Sequence, residues 1–255
     1  MKLFDDVELI DAFPGVYLRS LESLVIADLH LGYESAQAEA GVYMPKVQFE
    51  EELSLLQKII EERDVNRWRI IIAGDIKYEF SELSYHEYVE VKNMLEYLRD
   101  HFREVILIKG NHDNFIARVS SKYGVNPVDE LLEDGYLILH GDRVTLGVNS
   151  NWHTLIMGHE HPAVALFDEI GVKEKLKCLL YGETEEGRRV IVLPAFSTLM
   201  TGSEINIIPQ SELLSPILRK YVDVDRLKVL AFIDSENVLA LPTVGELKRL
   251  YSITS

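Results

Sequence analysis

Cysteine occurs once in the 255 residues, at Cys178, which excludes an internal disulfide framework and suits a reducing compartment. Long apolar runs are missing too, since no uninterrupted stretch reaches the roughly 18 residues of a membrane-spanning helix. Met1-Lys2-Leu3-Phe4-Asp5-Asp6 is acidic where a secretory leader would place a basic and then an apolar segment. A cytoplasmic protein with no membrane attachment is expected. Positive charge is the third shortage: 26 Lys and Arg face 42 Asp and Glu, for a net charge of -16 and a pI near 4.9. Such a surface repels polyanions unless a basic patch or bound cations reverse the field, so long nucleic acid is a handicapped partner. No repeat, low-complexity tract or linker divides the 29.2 kDa chain, which reads as one domain over residues 1–255. Nothing in it specifies an oligomeric state.

What the chain does have is a set of apolar runs that end in chemistry. Val25-Ile26-Ala27 runs into Asp28-Leu29-His30, and Ile70-Ile71-Ile72-Ala73 into Gly74-Asp75. Glu104 to Ile108 runs into Lys109-Gly110-Asn111-His112-Asp113, Tyr136 to Leu139 into His140-Gly141-Asp142, and Leu155-Ile156-Met157 into Gly158-His159-Glu160-His161. Short β-branched runs stopped by Gly and polar residues read as buried strands, and the carboxyl ends of strands in an open α/β sheet are where ligands bind. The five ends are expected to meet in one cleft.

Asp28, His30, Asp75, Asn111, His140, His159 and His161 offer carboxylate and amide oxygens and imidazole nitrogens, with no thiolate. Seven such ligands over-supply one metal ion but suit two closely spaced divalent ions with a shared carboxylate. Five of the eight His residues stand at these strand ends. Carboxylate and imidazole together suit manganese foremost, with iron, zinc, nickel or magnesium as alternatives. Two such ions activate a bridging water to hydroxide and clamp the oxygens of an in-line displacement at phosphorus, so phosphoester hydrolysis is the chemistry implied.

Asp-x-His, Gly-Asp, Gly-Asn-His-Asp, a later His and Gly-His-x-His, in this order and each after a strand, resemble the calcineurin-like metallophosphoesterase superfamily from Asp28 to His161. Leu31-Gly32-Tyr33-Glu34, Gly158-His159-Glu160-His161-Pro162 and Leu193-Pro194-Ala195-Phe196-Ser197 are most similar to the archaeal SbcD-related phosphoesterases, whose bacterial relatives include the PdeM proteins. The resemblance implies a four-layer α/β/β/α sandwich of two stacked mixed β-sheets. It also implies that Asp28, His30, Asp75 and His161 hold one metal and Asp75, Asn111, His140 and His159 the other, with Asp75 bridging. His112 would be catalytic rather than a ligand, placed to act as a general acid. Asp113 has two readings, orienting the His112 imidazole or capping a helix that begins near Asn114. Lys77 is a candidate donor to a substrate phosphate, and Ser197 a candidate lining residue on the substrate side.

Between the motifs, Lys46 to Arg63 carries an apolar stripe of Phe49, Leu53, Leu56 and Ile60, and Tyr85 to Phe102 one of Tyr88, Val91, Leu95, Leu98 and Phe102. Both predict helices. Gly32 to Met44 reads as a loop over the cleft, Val164 to Ala195 as a three-stranded meander, Gly202 to Leu214 as a loop near the cleft, and Leu227 to Pro242 as a closing hairpin. Three functional classes follow: a phosphoesterase for small monoesters or diesters, an SbcD/PdeM-like nuclease acting on DNA, and a non-catalytic scaffold on the same fold. Charge opposes the second, and retention of His112 with every ligand opposes the third.

Overall fold

Alternation along the strands decides the layers. In the computed structural model, which describes residues 1–252, Leu24 and Ile26 pack outward against helices while Val25 and Ala27 face a second sheet. Ile70 and Ile72 likewise face helices, and Ile71 and Ala73 face inward, as the two-residue period of a strand requires. The first sheet runs in chain order through β1 (Lys2–Phe4), β2 (Val7–Glu8), β3 (Val16–Leu18), β4 (Ser23–Ile26), β5 (Arg69–Ala73) and β6 (Glu104–Ile108). Its first pairings are antiparallel and β4, β5 and β6 are parallel, so the sheet is mixed.

The second sheet contains β7 (Glu130–Glu133), β8 (Tyr136–Leu139), β9 (Thr154–Met157), β10 (Pro162–Phe167), β11 (Lys173–Glu183), β12 (Arg189–Val192), β13 (Ser203–Glu204), β14 (Lys228–Phe232) and β15 (Val238–Thr243). Its order is β13-β10-β11-β12-β9-β8-β7, with β14 beside β11 and β15 beside β14. The expected meander is β10-β11-β12, antiparallel throughout, and the closing hairpin is β14-β15. β8, β9 and β12 are parallel neighbours, so their carboxyl ends emerge together.

Helices α1 (Tyr33–Glu39), α2 (Gln48–Glu62), α3 (Tyr85–His101), α4 (Ala117–Ser120), α5 (Pro216–Lys220) and α6 (Val244–Ser252) complete the fold. Three buried clusters define the four layers. Leu56 and Ile59 of α2 and Val91, Leu95 and Leu98 of α3 cover the first sheet, and Ile217 of α5 with Val244 and Leu247 of α6 cover the second. Ile71, Ile108, Ile138, Ile156, Leu179 and Ile191 fill the space between the sheets. The protein is the expected α/β/β/α sandwich. Among the described residues no helix is long and apolar enough to cross a membrane.

Three local expectations are corrected. Residues 33–39, read as loop, form α1, which is entered through the left-handed Gly32. In α2 the expected stripe packs on the core through the buried Leu56 and the half-buried Phe49 and Ile60, but the fully buried positions also include Gln48 and Glu52, because the first turn of this helix serves a polar network. Asp113 does not cap a helix; α4 begins at Ala117.

Candidate metal centre

Three of the five strand ends, those of β4, β5 and β9, deliver their side chains through a tight, unusual backbone. Asp28, His30, Asp75, His159 and His161 all have positive φ, at 59°, 50°, 53°, 66° and 45°. A non-glycine residue in that region costs on the order of 1–2 kcal/mol, so five in one cleft are strain held by the surroundings. The restraints are visible. Asp28 and His30 donate their amides to the carbonyls of Gly74 and Asp75, each at 3.0 Å, which fastens the loop after β4 to that after β5. Ser197 N donates to Asp28 O at 3.0 Å, and Gly158 N to His140 O at 3.0 Å, drawing in the loops of the second sheet. Glycine is required at two approaches: a Cβ on Gly74 would lie 2.2 Å from His140 Nδ1, and one on Gly110 would lie 2.1 Å from Asp75 Oδ1.

The seven residues predicted as ligands converge. His161 Nε2 lies 3.2 Å from Asp28 Oδ1 and 3.2 Å from His30 Nε2. His140 Nε2 lies 3.1 Å from Asp75 Oδ2, 3.0 Å from Asn111 Oδ1 and 3.2 Å from His159 Nδ1. Asp75 Oδ2 stands between the two groups, also 4.0 Å from His30 Nε2 and 4.0 Å from His112 Nε2. Ligand atoms of Asp28, His30 and His161, of Asp75, His140 and His159, and of His30, Asp75 and His112 lie within 4.8 Å of one another in each set. The buried Asp28 Oδ1 has no amide or hydroxyl donor and faces only the imidazoles of His161 at 3.2 Å and His140 at 3.6 Å. An uncompensated buried carboxylate oxygen beside imidazoles is what a cation would satisfy, so the residues present fit divalent metal.

Electrostatics prepare the same arrangement. Burial pushes His30 and His159 down to about 4, leaving neutral imidazoles with free lone pairs. Burial would do the same to His140, but the Asp75 and Asp28 carboxylates override it and raise His140 to about 10. In return, against the effect of its own burial, Asp75 is held well below the usual carboxylate range by His140. The metal-free protein therefore keeps a proton on His140 at pH 7, and a cation that takes the imidazole must displace it. Metal loading is expected to release about one proton from this group. Affinity should climb as pH rises toward about 10, where the competing proton weakens. Calorimetric titration in buffers of differing ionisation enthalpy measures the release; none at pH 7 would contradict the assignment.

Around these side chains sits a shell of supports. His140 Nδ1 faces Ala73 O at 3.0 Å, leaving Nε2 for the cleft. Asp28 Oδ2 accepts His159 N at 2.9 Å. His112 donates its backbone amide to Asp75 Oδ1 at 2.8 Å, while its Nδ1 bonds to Tyr78 O and the Phe80 ring lies over the imidazole, centroids 3.7 Å apart. Neither reading of Asp113 holds: its fully buried carboxylate accepts Asp75 N at 2.8 Å, Gly110 N at 2.9 Å and Ile76 N at 3.1 Å, so it clamps the loops of β5 and β6 together.

Lys77 and Ser197 are corrections. Lys77 is fully buried, its ammonium donating to Glu79 O and to Ser81 O at 3.1 Å, so it braces the loop that carries Tyr78 and Phe80 instead of facing the cleft. Ser197, also fully buried, accepts from Gln48 Nε2 at 2.9 Å. Gln48 was missed by sequence reasoning; its Nε2 also lies 2.8 Å from Leu29 O and 3.1 Å from His30 O, supporting the strained His30 loop from behind. Glu160 was missed as well. It is fully buried between two exposed-edge imidazoles and accepts Ser215 N at 2.9 Å. Its position between two predicted ligands was the one available signal.

Two stacked mixed sheets with Asp, His and Asn side chains clustered where the strand ends meet make an α/β/β/α sandwich whose cleft could hold metal. The calcineurin-like phosphoesterase profile matches residues 22–182, and the chain belongs to that family. Among solved structures, a nuclease named MPE from Pseudomonas putida is similar at 21% identity, covering 91% of this chain and 94% of its own, with a TM-score of 0.61. A zinc-complexed Vps29 from Entamoeba histolytica (16% identity, 86% and 96% covered, TM-score 0.35) and a predicted phosphoesterase from Streptococcus pneumoniae (11%, 86% and 97%, 0.32) are more distant. No curated protein matches.

Proposed function

We propose that the protein is a dinuclear-metal phosphoesterase acting on small phosphomonoesters or phosphodiesters. The observation that carries this is the position of Asp75 Oδ2, 3.1 Å from His140 Nε2 and 4.0 Å from the imidazoles of His30 and His112. One cation would be held by Asp28, His30, Asp75 and His161, and the other by Asp75, Asn111, His140 and His159. Two divalent ions there, manganese foremost, supply the Lewis acidity that activates water and offsets phosphate charge.

The chain's own residues do the rest. His112 Nδ1–H donates to Tyr78 O, which fixes the ring and leaves Nε2 facing the cleft, where a proton on it can pass to the leaving oxygen. Phe80 stacks on that ring and limits its rotation. Asp113 and Gln48 hold the loops of Asp75 and His30 so that little reorganisation is left for the reaction. Within the family we align the protein with the SbcD-related and PdeM-like members on its Gly-His-Glu-His-Pro and Leu-Pro-Ala-Phe-Ser motifs, as a single cytoplasmic domain. A panel of monoesters, diesters, nucleotides and DNA, assayed after chelation and after manganese is restored, tests the reading. Hydrolysis of small esters should vanish and return; activity indifferent to chelation would overturn it.

A nuclease is the second reading, favoured by exposed aromatic faces beside His112. Phe80 is 57% exposed and Phe115 45%, and Arg118 lies 4.5 Å above the Phe115 ring, surfaces on which bases can stack. The similar fold of a nuclease is compatible with it. Duplex binding is opposed by the charge of -16, by the burial of Lys77, and by the pairing of Arg118 with Glu82. Tight polyanion binding draws on about 6–10 phosphate contacts. Anisotropy titration in manganese is therefore expected to give no sub-micromolar affinity for long duplex DNA at physiological salt. Salt-sensitive tight binding with metal-dependent cutting would reverse the ranking.

A further inference from the structure

The carboxyl ends of β9 and β12 feed the metal centre; their opposite ends border a different recess. A cavity of about 570 Å³ opens there between the segment before β9, the β11–β12 turn and α5. That volume falls in the range of roughly 300–1,000 Å³ typical of small-molecule sites. The Arg188 guanidinium lies 4.7 Å above the ring of Trp152, and both line the cavity. Of the acidic lining residues, Glu186 is paired with Arg188 at 3.4 Å and Glu185 with Arg226 at 3.1 Å, which leaves Asp223 alone. Arg219 and Lys220 on α5 are exposed, line the same recess and enter no ion pair among the described residues. Tyr221 follows them, 49% exposed.

The lining sets Arg188, Arg219 and Lys220 against Glu185, Glu186 and Asp223, so on a protein whose net charge is -16 the recess is locally neutral, with Arg219 and Lys220 in no ion pair among the described residues and the exposed Tyr221 beside them. A guanidinium fork matches the oxygens of a phosphate, an ammonium adds a point charge, and planar groups pack on exposed aromatic faces. We propose that this cavity binds a small phosphorylated organic molecule with a planar part, its anionic group on Arg219 and Lys220 and its planar part against the exposed Tyr221 ring and the guanidinium of Arg188, which lies over the buried Trp152. The site is independent of the proposed hydrolysis and stands on different residues.

Only Trp68 and Trp152 are present, so Trp68→Phe makes Trp152 the sole indole reporter. The probe is phenylphosphonate, whose P–C bond an esterase leaves intact, titrated at constant ionic strength alongside inorganic phosphate. A saturable change in Trp152 emission is expected, tighter for phenylphosphonate than for phosphate. Arg219→Ser with Lys220→Ser, both exposed and remote from the metal centre, should weaken it by roughly tenfold or more, the loss expected for two charge-assisted contacts. Repeating the titration in the wild-type chain and in Trp152→Phe assigns the signal should Trp68→Phe fold poorly. No saturable change, an unchanged response in the double variant, or equal affinity for inorganic phosphate would overturn the proposal, whatever the fate of the esterase assays.

Discussion

Asp75→Asn is expected to abolish phosphoester hydrolysis and to empty the metal centre. The substitution keeps the shape of the side chain, and an amide oxygen can still accept the His112 amide now bonded to Oδ1 at 2.8 Å. What it removes is charge. Asp75 Oδ2 lies between the Asp28–His30–His161 group and the His140–Asn111–His159 group, so its carboxylate is placed to serve both. Replacement of residues that merely support metal ligands typically costs 10–100-fold. A shared ligand should cost more than that in turnover, and metal analysis after dialysis should find both ions depleted. A well-folded Asp75→Asn protein that keeps two metals and full activity would remove the bridging assignment.

His112→Ala should produce the opposite pattern, with metal retained and chemistry lost. A positioned general acid is worth about 10²–10⁴ in rate, and the loss should shrink for nitrophenyl esters, whose leaving group needs little protonation. The measurement is decisive because His112 Nε2 also stands within ligand distance of the His30 and Asp75 atoms. Metal stoichiometry separates the two roles: a His112→Ala protein that cannot hold two ions would make His112 a ligand. Its surroundings favour the acid. With Nδ1 tied to Tyr78 O and Phe80 against the ring, the imidazole is oriented by the loop after β5 rather than by a metal.

The positions of the candidate ligands in the chain were legible because each is a local statement: an apolar strand followed at once by a donor side chain. The unbroken apolar runs Leu24-Val25-Ile26-Ala27 and Ile70-Ile71-Ile72-Ala73 likewise announced buried strands, and alternate residues of each face the helices and the second sheet. Side-chain direction beyond the strand ends was not legible. Lys77 carries a charge two residues from Asp75, yet the loop carbonyls of Glu79 and Ser81 turn it inward. Gln48 and Glu52 break the apolar stripe of α2 and would be assigned to solvent by pattern alone; both are buried because the helix starts directly behind the His30 loop. Asp113 resembled a cap, and the positive φ of Asp75 and the close approach of Gly110 gave its carboxylate three amides to bind instead.

By itself, the sequence determined the donor set, the strand and helix pattern and the acidic surface, since these depend on residue identity and short-range spacing. Tertiary structure alone decided which donors come together, which His is oriented by a carbonyl, and where the free cations of α5 face a cavity. Asp28 meets His159 across 131 residues of chain, and His30 meets His161 across the same separation. Contacts of that range exist only once two sheets have stacked and brought their carboxyl ends together, and the burial that comes with stacking is what depresses His30 and His159 and leaves the Asp75–His140 pair charged.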